Sequence, residues 1–424
     1  MTGVAESGGV ISPNLAPNLK LRWTTTLCGP IASSPTIFND VIYVGDWSGM
    51  ESALAAADGS TLAQANLGTT TAPQCDPSMI GITSAAAVQN GIVYLAGGDD
   101  AFYALDAQTL DVIWRRSLGD NSSGGGYYGW CSPTVTHTSV LQGVSSNCDD
   151  PFIPGRVVSL DLFDGSTIQD AFMVEPEWPH DASGAGVWTS PAVDMAYQNV
   201  FVTTASALSM EDGRSYSIVR LDLDSMEIEE SWKITDANQD DDADWGTSPT
   251  LFTDPEGRQL VGAGQKDGHY YAFLRRHLSA GPVWTTQLAK GGACPLCADG
   301  VLSTAAFDGK MLYVGAGRTP EEDALGSVSA LDPATGNVVW RQKFDAPIIA
   351  PISYTNGVVF TTTGNHAIAL DAATGERLWQ FETGAMCVGG VSITDRGIFF
   401  GDLAGNLYHF AVEMPTRIHA VRAR

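Results

Sequence analysis

The chain has 424 residues, 44% of them hydrophobic and 17% charged, with 46 Gly and 21 Pro, a turn-rich balance that suits a β protein better than a helical one. Its 22 basic residues against 48 acidic ones leave a net charge of −26, without a cluster of Lys or Arg, which excludes a nucleic-acid surface. No run of about 18 apolar residues occurs, which excludes a membrane-spanning helix.

This length suits two or three domains, or one closed repeat architecture. Taken in chain order, one element recurs eight times as small residues, often Ser-Pro, leading into an apolar strand. It reads "ASSPTIF" at 32–38, "ITSAAAV" at 82–88, "WCSPTVT" at 130–136, "WTSPAVD" at 188–194, "GTSPTLF" at 246–252, "LSTAAFD" at 302–308, "IAPISYT" at 349–355 and "VGGVSIT" at 388–394. A second strand follows most copies, as in "VIYVGD" at 41–46 and "GIFFGD" at 397–402. A third segment carries two outer strands around a tight turn, as in "VSALDPATGNVVW" at 328–340 and "AIALDAATGERLW" at 367–379. Alternating apolar residues around Asp-x-x-Thr-Gly read as a hairpin. Copies spaced by roughly 40–60 residues read as propeller blades.

The expected fold is therefore all-β: an eight-bladed propeller of four-stranded antiparallel blades, the small-residue strand nearest the axis. Trp114, Trp232, Trp284, Trp340 and Trp379, on the outer strands, should fill the space between blades. "LKLRWTTTL" at 19–27 reads as an outer strand without a blade, and "GNLYHFAV" at 405–412 as a blade without that strand. Their pairing would close the ring and leave no long open edge. The expected organisation is an N-terminal extension over 1–20, the propeller over 21–413 and a tail over 414–424. The high negative charge favours a soluble monomer.

These repeats resemble the quinoprotein alcohol dehydrogenase superfamily, eight-bladed propellers built from PQQ repeats, and in particular its polyvinyl-alcohol-dehydrogenase-like group without haem. The resemblance implies pyrroloquinoline quinone (PQQ) lying over a Trp near the axis and a Ca²⁺ bridging quinone and protein. It also implies an Asp that takes the alcohol proton and a cation on the quinone oxygens. "GAGVWTSPAVD" places the stacking role on Trp188, "DADWGTSPTLF" places the base on Asp244, and "LVGAGQKDGHYYAF" places the cation on Lys266. "GVSSNCDDPFIPGRVVSLD" resembles the segment that carries a calcium-ligating Glu, here Asp150 or Asp149, and it adds Ser145 as a cofactor contact. Asp244 and Ser206 complete the implied calcium set. The chain departs from the pattern in having Asp for Glu, Ala205 and Ser206 where the family has Asn, Pro154 where many members have Arg, and no adjacent cysteine pair. With fewer carboxylate and amide oxygens the calcium site would be weaker.

The remaining motifs carry less. "CPLC" at 294–297 is followed by Ala298 rather than His, which rules out covalent haem attachment, and without a second Cys-x-x-C zinc is not expected. A local disulfide or two quiet thiols remain open there. Cys28 with Cys387, and Cys131 with Cys148, are candidate pairs among the seven cysteines. "NSSGGGYYGW" at 121–130 lacks the Gly-Lys-Ser/Thr end of a phosphate loop and reads as a loop over the funnel mouth, with Tyr127, Tyr128 and Trp130 as ligand contacts. Asp240, Asp241 and Asp242, just before Asp244, read as a solvated acidic loop. "MTGVAESGGV" at 1–10 has neither the basic start nor the apolar core of a signal peptide. Cysteine content and the resemblance favour a periplasmic or extracellular mature chain over a cytoplasmic one.

The resulting expectation is PQQ- and calcium-dependent oxidation of a small or polymeric alcohol, with electrons passed to an external acceptor. The alternatives are a propeller that has lost quinone binding and uses the same funnel otherwise, and a protein-interaction scaffold.

Overall fold

The computed structural model describes residues 11–122, 124–174, 183–208, 213–234 and 244–412. Asp240, Asp241 and Asp242 lie outside them. Among the described residues, eight antiparallel sheets form the blades of a propeller. Seven run inside to outside in chain order, over 36–66, 87–117, 134–172, 192–233, 250–287, 306–344 and 353–382. The eighth takes three strands from 392–412 and its outer strand, Leu19–Thr26, from the other end of the chain. That strand runs antiparallel to Asn406–Val412, with Leu19 opposite Val412 and Thr26 opposite Asn406, so the ring closes as the two partial repeats predict. No helix among the described residues is long and apolar enough to cross a membrane.

The innermost strands are short, as in Thr36–Phe38, Thr134–Val135 and Ala192–Asp194. Their small residues do more than relieve crowding at the axis. In each Ser-Pro copy the Ser hydroxyl accepts a backbone N–H from the preceding blade. Gly390 donates to Ser34 at 2.9 Å, Ala85 to Ser132 at 3.0 Å, Ser132 to Ser190 at 3.1 Å and Ser190 to Ser248 at 2.9 Å. Thr304 takes the same place for Ser248 at 3.2 Å. Two residues further on, Thr36, Thr134 and Thr250 donate their hydroxyls to carbonyls of the following blade, at Ala86, Pro191 and Ala305, and Ser392 donates to Pro35. Inner strands too short for long ladders thus satisfy their backbone groups across the seams.

The rim is joined by a second device. The outer-strand Trp of one blade donates its indole N–H to a carbonyl in the next blade's outer turn: Trp23 to Ala56 at 3.1 Å, Trp114 to Leu162 at 3.2 Å, Trp284 to Pro333 at 3.0 Å and Trp340 to Ala372 at 3.0 Å. The ring then lies on the turn's Gly. A Cβ on Gly59, Gly165, Gly336 or Gly375 would meet that Trp at 2.4–2.7 Å. Blades one and three have no outer Trp, and the turns that follow them carry Leu110 and Met226 at the same left-handed position, with φ of 57° and 55°. The Gly is therefore needed chiefly where an indole must land. Trp379 packs on Phe410 at 4.9 Å, and Trp232 on Phe273 at 5.2 Å. Between blades lie shared apolar clusters, such as Leu141 and Val157 against Val200 and Val219.

Blade three departs from the regular plan. Its second strand, Ser139–Ser146, is long, and Tyr127–Tyr128 pairs with its far end as a fifth strand. A small hairpin, Thr70–Thr71 with Met79–Ile80, stands beside it in the connection between blades one and two.

Gly375→Ala should cost about 2–4 kcal/mol, combining left-handed strain with overpacking against Trp340. Gly257 also has positive φ, at 82°, but nothing lies within 4 Å of its added Cβ, so Gly257→Ala should cost only about 1 kcal/mol. Urea midpoints of the two variants measure the difference.

A second test uses pH. Asp100 is fully buried and neither carboxylate oxygen has a hydrogen-bond partner among the described residues. Burial pushes its carboxyl up to about 8, Arg156 opposes this, and Asp99 and Asp120 add to it. The folded state therefore holds a proton that the unfolded chain releases near its ordinary value of 3.8, and stability falls as pH rises between those values. Asp100→Asn should gain on the parent protein from pH 4 to pH 8, by at most about 1.4 kcal/mol per pH unit. Thermal melts of both proteins across that range provide the check.

Candidate functional site

The turns that join each blade's second and third strands lie at one end of the ring, together with the connections between blades. Six such segments from blades three, four and five converge on a cavity of about 190 Å³. Its lining comprises Trp130, Ser145, Ser146, Asn147, Cys148, Asp149, Trp188, Ala205, Asp244 and Lys266.

Asp244 owes its orientation to the residue after it. Trp245 is fully buried against Trp232, Tyr271 and Phe273, and it is bridged to Gln265. With Trp245 turned into the core, Asp244 is turned toward the cavity. Its Oδ1 accepts the Ser206 N–H at 2.6 Å and its Oδ2 lies 3.1 Å from the Lys266 Nζ. Lys266 is held from its own turn, its backbone N–H donating to the Asp244 carbonyl at 3.0 Å. Both side chains are more than nine-tenths buried. The ammonium stands 5.9 Å from the centre of the Trp188 ring, within range of a cation–π attraction.

Trp188 is half-buried at the head of blade four's inner strand, and its indole N–H has no partner among the described residues. Trp130 holds the equivalent place in blade three, two residues before the Ser of Ser-Pro. Its indole N–H is fixed on the Ser146 and Asn147 carbonyls at 3.0 and 3.2 Å. Tyr128, its neighbour in the Gly-rich loop, is instead buried, with its hydroxyl donated to the Gly81 carbonyl.

The long strand of blade three delivers Ser145 through Asp149 to the cavity. Asp149, at φ 60°, accepts the Ser206 hydroxyl at 3.4 Å on Oδ2. Asp150 does not join it: that residue is exposed, outside the cavity lining, and its carbonyl takes a 2.6 Å hydrogen bond from Gln74. Asn147, missed in the sequence, is buried with its Oδ1 unpartnered among the described residues. Its amide reaches Thr70 at 3.5 Å and the Cys75 sulfur at 3.6 Å.

The local Cys294–Cys297 bridge matches one expected reading, but neither Cys28–Cys387 nor Cys131–Cys148 forms. Cys75 bonds to Cys148, tying the small hairpin to the cavity wall, and Cys294 bonds to Cys297. Cys28, Cys131 and Cys387 are free. Cys131 is buried under Gly143 and Gln142, and burial pushes its thiol up to about 12. The long separation between Cys75 and Cys148 in sequence, and a partner on an irregular insertion, left no local signal for that bridge.

The resemblance implies two groups here, a quinone and a calcium ion. A flat quinone fits, since two indoles, an ammonium and the Ser145 and Asn147 side chains belong to the lining of one cavity. Calcium does not. A hard cation takes six to eight oxygens, with carboxylates giving most of the affinity, and among the described residues this cavity offers two carboxylates beside the Asn147 amide and two serine hydroxyls. No group of three His, Cys, Asp or Glu side chains that could hold a metal occurs among the described residues. Both oxygens of Asp244 are already engaged.

A larger hollow, about 440 Å³, opens at the other end of the strands where the ring closes. Much of its lining is apolar, including Ile11, Ala56, Ala57 and Val412, with Arg22, Asp395 and Arg396 beside it.

Ring and cavity together define a β-propeller of the PQQ-repeat type. A sequence family described as outer membrane protein assembly factor BamB matches residues 49–215 and 276–411, more than half of the chain. The chain belongs to that family of PQQ-repeat propellers. It is also 23% identical over 341 residues to polyvinylalcohol dehydrogenase of a Pseudomonas sp, covering 70% of this chain and 51% of that protein. The polyvinylalcohol dehydrogenase of Sphingopyxis sp. (strain 113P3) is 24% identical over 373 residues, covering 77% and 55%. The chain thus spans about half the length of these relatives. A solved europium-containing methanol dehydrogenase superposes with a TM-score of 0.81 at 17% identity, covering 97% of this chain and 96% of that one, a likeness of fold.

Removing the bridge in a Cys75→Ser/Cys148→Ser double variant should cost about 2–4 kcal/mol, read from guanidinium midpoints. The parent protein should lose a similar amount when assayed in reductant.

Proposed function

We propose that the cavity oxidises an alcohol, small or polymeric, with PQQ as hydride acceptor and an external partner taking the electrons. The observation that carries this reading is the buried Asp244–Lys266 pair beside the Trp188 indole. Such a pair is expensive to bury, and it borders a cavity that also presents two indoles at equivalent places in adjacent blades.

Trp188 and Trp130 would hold the flat cofactor, with Ser145 and Asn147 as polar contacts at its edge. When bound, the quinone supplies the oxidising power, accepting a hydride from the alcohol carbon. Asp244 would accept the hydroxyl proton, a role that needs a carboxylate within hydrogen-bond reach of the substrate oxygen. The Ser206 N–H fixes one of its oxygens, and Lys266 orients the other. Lys266 would also place positive charge beside the quinone oxygens. Asp149, its side chain near Ser206, would border the alcohol's path, whereas Asp150 would take no part.

The relatives' names support alcohol oxidation, while the assembly-factor description of the family supports a second reading as an interaction scaffold. Turnover separates them. With PQQ and a dye acceptor, Asp244→Asn should lower kcat by ~10²–10⁴-fold with an unchanged circular dichroism spectrum. Asp150→Asn should stay within a factor of about two, as expected for an exposed side chain. Equal losses in both variants would overturn the assignment of the base, and no turnover in the parent protein with any alcohol would favour the scaffold.

A further inference from the structure

Resting on the quinone reading above, we infer that this pocket binds PQQ without a divalent cation, the Lys266 ammonium standing in the metal's place. Three features of the site lead to this.

The first is how Asp244 is used. A carboxylate that ligates a metal turns an oxygen to it, but here Oδ1 is fixed by the Ser206 N–H at 2.6 Å and Oδ2 by the Lys266 ammonium at 3.1 Å. The second is the fate of the neighbouring acids. Asp150 is exposed and outside the cavity lining, and Asp149 receives the Ser206 hydroxyl, so the hydroxyl's proton points at the carboxylate. The third is rigidity. The backbone N–H of Lys266 donates to the Asp244 carbonyl, which locks the turn that carries the cation to the strand that carries the acid. Ammonium and carboxylate are thereby held as a preset pair, more than nine-tenths buried, and a divalent ion approaching Asp244 would compete with the ammonium for it. A point charge with three donors can meet the quinone oxygens directly, as lysine meets other anionic ligands.

Tryptophan-fluorescence titration with PQQ tests the inference. The full chain is dialysed against EDTA and titrated alone, then with millimolar calcium, magnesium or lanthanum chloride. The expected result is saturable quenching with dissociation constants that agree within about twofold in all four conditions. Lys266→Gln should weaken binding at least tenfold in EDTA, and Lys266→Arg should restore most of it; near-ultraviolet circular dichroism of both variants reports on folding. Tenfold or greater tightening of the parent protein by any of the three metals would overturn the inference and leave the quinone reading intact. So would unchanged binding by a folded Lys266→Gln variant. No saturable quenching with or without metal would instead overturn the quinone reading, and the inference with it.

Discussion

The hydrogen bonds that the inner-strand hydroxyls make across the seams determine much of the rest. Eight strands converging on an axis cannot carry bulky side chains, and strands only two to four residues long cannot satisfy themselves through ladders alone. Ser34, Ser132, Ser190, Ser248 and Thr304 solve both problems with one small side chain each, accepting a neighbour's N–H near the axis. Buried backbone donors left unpaired would each cost on the order of 1–3 kcal/mol. The seam bonds therefore set the register of each blade against the next. The site inherits that register, because Trp130 and Trp188 each stand two residues before one of these serines.

Much of this architecture was legible. Strand count, ring closure and the placing of outer Trp residues between blades follow from periodic apolar patterns, and the tight turns from their Gly. The finer rule, an indole in one blade matched by Gly in the turn of the next, links residues 35–52 apart and emerges only once the blades are set side by side, as with Trp340 and Gly375 or Trp114 and Gly165. Leu110 and Met226 then explain themselves as turns on which no ring lands. The hydroxyl partners were not legible, since a Ser before a Pro reads equally well as a turn residue.

At the site, legibility followed regularity. Trp188, Asp244 and Lys266 lie on repeating segments, so their positions relative to the axis could be read from the repeat, and they meet in one cavity. Blade three breaks the repeat with its long strand, fifth strand and disulfide to an inserted hairpin. There the choice between Asp149 and Asp150 could not be read, because alternation fails at a left-handed residue such as Asp149. Asn147 and the Cys75 partner were hidden for the same reason.

The Asp244–Lys266 pair bears on what kind of protein this is. Desolvating two charges costs several kcal/mol per ion, and well-packed apolar residues usually do as well or better. A ring that served only as a surface for partners would gain nothing from an ion pair inside a cavity walled by indoles. The pair is also tied down on both sides, by the Ser206 N–H and by the backbone bond between Lys266 and Asp244. Preorganised charge of this sort is costly to stability and useful where charge develops during a reaction. The physical balance therefore favours a reacting or tightly bound ligand at this end of the ring.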